Sequence, residues 1–207
     1  MKYIKWKSLC ITGLVCLSPI LLGIALWDTL PDTIAIHFNM YNEPDNFASK
    51  EFAVFGLPLM MLVPQIISCM INDFNTHKHG ERKKFTLVTK WIIPIMSVIL
   101  QVVTLGYSLG WNLDIRKVTA LMVSIIFLVI GNYLPKFDYI KNYNIDAEKA
   151  KKINRFIGFE TVIMGILGLI TIFMPPVTTV IWLFLLIPYA IIAVLYGLKI
   201  GYLKDKK

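Results

Sequence analysis

Few residues in this chain could do chemistry, and they are sparse. His37 is followed by Glu43 and Asp45 within one short stretch, the residue types that hold a hard or borderline metal. One histidine with two carboxylates at no fixed ligand spacing is better explained by surface solvation, so no metal is expected there. The same holds for His77 and His79, which lie in a basic segment. Cys10, Cys16 and Cys69 sit in or beside apolar runs without a CxxC spacing, and read as small buried side chains rather than a disulfide or zinc site. No nucleophile–base set, HExxH, phosphate loop or dinucleotide fingerprint appears. The expectation is a protein that binds, with no cofactor and no enzymatic activity.

The elements that carry these residues are set by composition. Of 207 residues, 57% are hydrophobic and only 16% charged, against about 45–50% and roughly 25% in soluble domains. The mean hydropathy is +0.65. The apolar residues come in blocks, and a bilayer-spanning helix needs about 20 of them. Six blocks qualify: Ser8–Trp27, Phe52–Ile71, Trp91–Leu109, Val118–Leu134, Phe156–Met174 and Thr179–Leu198. The fold class is therefore an all-α membrane protein, a six-transmembrane-helix bundle forming a single integral membrane domain over residues 1–207. Pro175–Thr178 is so short that the last two spans must form a tight hairpin.

Charge sets the orientation. Eighteen of the 21 lysines and arginines fall at the N-terminus, in the second and fourth loops and in the tail; the others are Lys50, Arg116 and Lys117. Under the positive-inside rule both termini face the cytoplasm of a bacterial cell. The net charge of +8 thus serves topology and anionic headgroups, and no direct nucleic-acid binding is expected. Lys2, Lys5 and Lys7 before an apolar run look like a signal peptide, but the run is long and ends in Leu26-Trp27-Asp28, which reads as an uncleaved first span.

Inside the spans, Pro19, Pro58, Pro64, Pro94 and Pro188 each remove a backbone donor and are expected to bend their helices. Gly158, Thr161, Gly165 and Gly168 are spaced to share one helical face, a smooth strip for a neighbouring helix. Glu160 is the one carboxylate placed within a predicted span; five residues from Arg155 and near the cytoplasmic end, it is placed to snorkel to the interface, with proton or ion coupling as the alternative. Gln65 and Gln101 are expected to hydrogen-bond to each other or to Asn132. A polar path along these residues would suit a small multi-pass permease or exporter, the alternative function; a structural membrane subunit is a third reading.

The outer loop, residues 28–51, carries most information. Ile34, Ile36 and Phe38 alternate with Ala35, His37 and Asn39, the period of a half-buried strand. Pro31 precedes the run and Asn42-Glu43-Pro44-Asp45 follows it as turn chemistry, which predicts an ordered, partly β-like extracellular loop after the first helix. The loop holds one lysine against Asp28, Asp32, Glu43, Asp45 and Glu51, an acidic surface that attracts cationic or amphipathic ligands. On the inner side Asp146 is placed to cap a short helix, Ala147–Arg155, whose Lys149, Lys151 and Lys152 would meet anionic lipid.

The stretch LPDTIAIHFNMYNEPDNFASKEFAVFGLPLMML resembles the opening module of the bacterial SdpI immunity protein family, through Leu30-Pro31, His37, Pro44-Asp45 and Pro58. Gly131-Asn132 at the end of the fourth span is similar to a signature of that family's later half. Asn42 stands where the family favours glycine, and the family's Gly-Ile-Arg-Thr-Pro-Trp-Thr-Leu-like segment is not recognisable after the fourth span. The resemblance implies a membrane immunity protein that protects its cell from a secreted antimicrobial peptide toxin and signals the toxin's presence to a cytoplasmic regulator. The ligand-binding residues expected on this basis are Asp32, His37, Glu43, Pro44 and Asp45, with Asn132 as the packing link.

Overall fold

A backbone carbonyl in hydrocarbon finds no water to bond, so each helix must pair its groups internally or borrow a side chain. The architecture follows from how this is done. In the computed structural model, residues 3–79, 83–136 and 147–202 are described. The helices are α1 (Trp6–Leu17), α2 (Pro19–Ala25), α3 (Leu57–His79), α4 (Lys83–Ser108), α5 (Ile115–Tyr133), α6 (Ala147–Thr171) and α7 (Pro176–Tyr202). Strands β1 (Thr33–Phe38) and β2 (Pro44–Ser49) pair antiparallel. Six stretches are long and apolar enough to cross a membrane, α1 and α2 together making the first. This is a six-helix membrane protein with a small sheet between its first two spans. The chain divides into two compact units, Met1–Ile115 and Arg116–Lys207.

In the first unit Pro19 interrupts its span, while Pro64 and Pro94 lie inside continuous helices, and at Pro19 and Pro94 a side chain reaches the carbonyl that the proline leaves. Pro19 splits the first span, and both the backbone N–H and the hydroxyl of Ser18 turn back to the Val15 carbonyl. Ser97 of α4 donates to the neighbouring Cys16 carbonyl at 2.8 Å. Pro94 cannot donate to the carbonyl four residues back, Lys90, and the amide of Gln65 does so instead at 3.0 Å. Before α3 the backbone makes a π turn over Phe52–Gly56, in which the Leu57 N–H reaches the Phe52 carbonyl. That skips the Ala53 carbonyl, which Gln101 fills at 2.9 Å. Gln65 and Gln101 therefore do not bond to each other. The expected pairing fails because each amide answers a carbonyl vacated by the backbone.

α3 and α4 both run past the predicted span ends, and this brings two charges into the helices. Asp73 and Lys90 form an ion pair at 2.6 Å with side chains only 1% and 4% exposed. Asp73 also accepts from the backbone N–H of Lys5, and Lys90 reaches the Ser8 hydroxyl, so the pair ties the start of α1 to both neighbours. Glu160 is thus not the only carboxylate in a spanning helix. Asn72, Thr76, Thr86 and Thr89 continue the polar pairing along the extension: Thr89 donates to Asn72 at 2.8 Å, and the Thr76 and Thr86 hydroxyls meet at 3.4 Å.

The second unit is assembled on small residues. The predicted strip is a packing face: a side chain at Gly158 would collide with the Gly131 carbonyl and Pro135, and one at Gly165 with Leu128 and Ser124. Thr161, on the same strip, shares its hydroxyl with Tyr189 of α7 at 2.7 Å. Trp182 donates to the Met164 carbonyl, and Arg116 to Thr179. The α6–α7 connection is the tight turn expected. Ala147–Arg155 is the opening of the long helix α6, while its proposed cap Asp146 lies outside the described residues. Glu160 makes no ion pair with Arg155, and one of its carboxylate oxygens is buried without a hydrogen-bond partner among the described residues.

Removing one member of the buried pair leaves the other charge uncompensated, which costs about 3–5 kcal/mol. Asp73→Leu is expected to lower the thermal unfolding midpoint in detergent sharply, and adding Lys90→Met to recover most of the loss. A double variant no more stable than the single one would show that the pair is not what holds these helices.

Candidate functional site

The hairpin between the first two spans is a built structure. Its register pairs Thr33 with Ser49, Ile34 with Ala48 and Ala35 with Phe47, then shifts on either side of His37. The shift interrupts strict alternation. Ile34 and Ala35 are both buried, Ile36 is half-buried, and His37 points outward. Ile34 is fully buried with Leu30, Ala53, Val54 and Leu105, so the hairpin is rooted on the helices by its first strand. Phe38 meets the Tyr107 ring of α4 edge-on at 4.6 Å between centroids. Pro44 and Asp45, predicted as turn residues, open β2 instead, and the turn lies before them at residues 39–43.

Asn39 and Asn42 make that turn. The Asn39 side-chain oxygen accepts from the N–H groups of Tyr41 and Glu43, and its amide donates to the Glu43 carboxylate at 2.9 Å. Asn42 adopts a left-handed conformation with φ of 65°, which asparagine tolerates better than most residues. Its side chain then grips the backbone before α5, donating to the Leu113 carbonyl at 3.0 Å and accepting from the Ile115 N–H at 2.7 Å. Sequence reasoning placed Asn42 in a turn but missed this latch, because its partners lie some seventy positions away.

The residues singled out from the sequence lie at the two ends of this hairpin, His37, Glu43 and Asp45 near its turn and Asp32 at its base beside Lys50. His37 Nδ1 lies 2.5 Å from the Asp45 carboxylate, both well exposed. Asp32, fully exposed, is 3.4 Å from the Lys50 ammonium, while the Lys50 side chain is largely covered and lies over the Trp27 ring. A hydrogen bond from its own backbone N–H, and a second from Ser49, lower the Glu51 carboxyl from its ordinary value, so it stays ionised to lower pH. Among the described residues no cluster of three or more histidine, cysteine or acidic side chains could hold a metal. The same hairpin carries two exposed rings absent from the sequence-based set, Tyr41 and Phe47. Their signal in the sequence is an aromatic on either side of the polar segment Asn42-Glu43-Pro44-Asp45. The exposed surface of the hairpin is thus acidic and aromatic at once, with hydrogen-bond acceptors fixed by the turn.

Asn132 belongs to the second unit. It is exposed at the end of α5, where its side-chain oxygen accepts from Lys136 at 3.2 Å. It also lines a groove of about 600 Å³ between the end of α5 and the start of α6.

Two comparisons bear on this arrangement. A domain family of unknown function, DUF1648, matches residues 14–62, the stretch from α1 through the hairpin into α3. Immunity protein SdpI of Bacillus subtilis (strain 168) is 31% identical over 126 residues, 61% of this chain and 58% of that protein. The chain thus spans under two thirds of the length of this curated relative. Both findings support the SdpI-like resemblance seen in the sequence. No solved structure matches.

Asn42 provides a direct test of the latch. Asn42→Gly keeps the left-handed turn and loses both bonds to the α4–α5 connection; Asn42→Ala loses them and adds about 1 kcal/mol of backbone strain. Hydrogen exchange at the Ile115 amide is expected to accelerate in both variants, with Ala the less stable. An Ile115 amide as protected as in the parent protein would refute the latch.

Proposed function

We propose that this protein is a membrane immunity protein whose outer hairpin engages a secreted antimicrobial peptide toxin before the peptide enters the bilayer. The observation that carries the reading is the hairpin's surface. Asp32, Glu43 and Asp45 attract a cationic peptide, and the rings of Tyr41 and Phe47 take its apolar face, an arrangement matched to an amphipathic ligand. The similarity to immunity protein SdpI supports the class. By the positive-inside rule the hairpin faces outward and both termini the cytoplasm.

Binding here has a built-in route inward. A peptide that shifts the hairpin pulls on Asn42, and through it on the Leu113–Ile115 backbone from which α5 starts. The hairpin's apolar root resists that motion at its base, so displacement concentrates at the tip. Such a movement is the signal a cytoplasmic regulator reads.

The test is protection of a sensitive bacterium by the expressed protein against cationic, membrane-active peptide toxins added to the culture. The triple variant Asp32→Ala, His37→Ala, Asp45→Ala, and separately Tyr41→Ser with Phe47→Ser, are each expected to reduce protection about tenfold or more at equal membrane abundance. Full protection by both sets would remove the hairpin from the mechanism.

A further inference from the structure

Along α6, Lys152, Arg155, Phe159 and Val162 follow one another at steps of three, four and three, which places them on one helical face. The stripe begins cationic and turns apolar toward the middle of the span. All four line the groove of about 600 Å³ beside the end of α5, facing Lys136 and Tyr196. The groove exists because Gly131 and Gly158 let the two helix backbones touch, so the longer side chains on either side stand apart around a gap. Lys136 is held at the rim by the Asn132 carbonyl oxygen and by the Tyr133 ring, 5.2 Å from its ammonium. Among the described residues neither Lys152 nor Arg155 is in an ion pair, Glu148 being the nearest acid on the same helix face. Phe159 is 67% exposed.

We infer that this groove binds one anionic phospholipid, its phosphate between Lys136, Lys152 and Arg155 and an acyl chain along Phe159 and Val162. Three cations around one gap answer a phosphodiester. The apolar wall below them has no role for a soluble anion, but continues the direction in which a lipid's chains run into the bilayer. A lipid alone presents charge and hydrocarbon in that order along the membrane normal.

The full chain is reconstituted in nanodiscs of phosphatidylcholine containing a minority of phosphatidylglycerol, and the lipids it retains on transfer to detergent are counted by native mass spectrometry. Phosphatidylglycerol is expected to be retained over phosphatidylcholine. Lys152→Gln with Arg155→Gln is expected to reduce that preference roughly tenfold or more. Phe159→Ser, which leaves the charge unchanged, is expected to weaken retention as well. Lys7→Gln with Lys84→Gln removes the same net charge from two exposed lysines outside the groove and is expected to change nothing. Equal retention of the two lipids, full retention by the groove variants, or equal loss in the Lys7/Lys84 control would overturn the proposal. So would displacement of the lipid by millimolar inorganic phosphate, which would mark a soluble-anion site. Should the double variant fail to assemble, Phe159→Ser and Lys152→Gln alone carry the test, and neither readout depends on the protein's protective activity.

Discussion

The first unit depends on a constraint that water would relax: a carbonyl abandoned by its own helix has to accept a hydrogen bond from somewhere else in the protein. Proline and the π turn leave such carbonyls at Val15, Ala53 and Lys90, and a side chain reaches each. Two of the donors, Gln65 and Gln101, come from a different helix from the one they mend. A bend that would weaken an isolated helix becomes a bond between helices. The residues that interrupt the backbone pairing therefore also help the spans associate, since apolar faces alone give helices in lipid little cause to prefer each other over hydrocarbon.

The two units meet that constraint by different physics. In the first, directional bonds dominate: the Asp73–Lys90 pair near the helix ends, Gln65 with Thr12 and Cys69 deeper in, and Ser97 and Gln101 beyond. In the second, α5 and α6 meet through glycines whose missing side chains allow backbone contact, and α7 is added through Thr161, Met164 and Trp182. The first arrangement fixes register through particular atoms. The second fixes distance through shape, and it leaves open the groove beside Lys152 and Arg155.

Hydropathy was sufficient to find the six spans and the glycine strip, because both are patterns along one helix. It misplaced the ends of α3 and α4. Asn72, Asp73, Thr86, Thr89 and Lys90 read as loop residues until each is seen to have its partner on the facing helix, and that pairing has no signature in a single run of sequence. The hairpin shows the same divide. The alternation from Ile34 to Phe38 revealed β1, whereas β2, with its Pro-Asp-Asn opening, resembles a turn and becomes a strand only through its pairing with β1. Of the outer residues, His37 and Asp45 were legible by type. Asn42, whose importance lies in a bond to a distant backbone, was legible only as a turn former.

The crossed repairs also bear on how the protein is made. Synthesis delivers α1 and α3 to the bilayer before α4, so for a time the Ala53 and Cys16 carbonyls lack Gln101 and Ser97, and Gln65 lacks the Lys90 carbonyl. Those groups cannot wait comfortably among acyl chains. The polar bonds of the first three spans therefore close together, and only once the third of those spans has joined the other two.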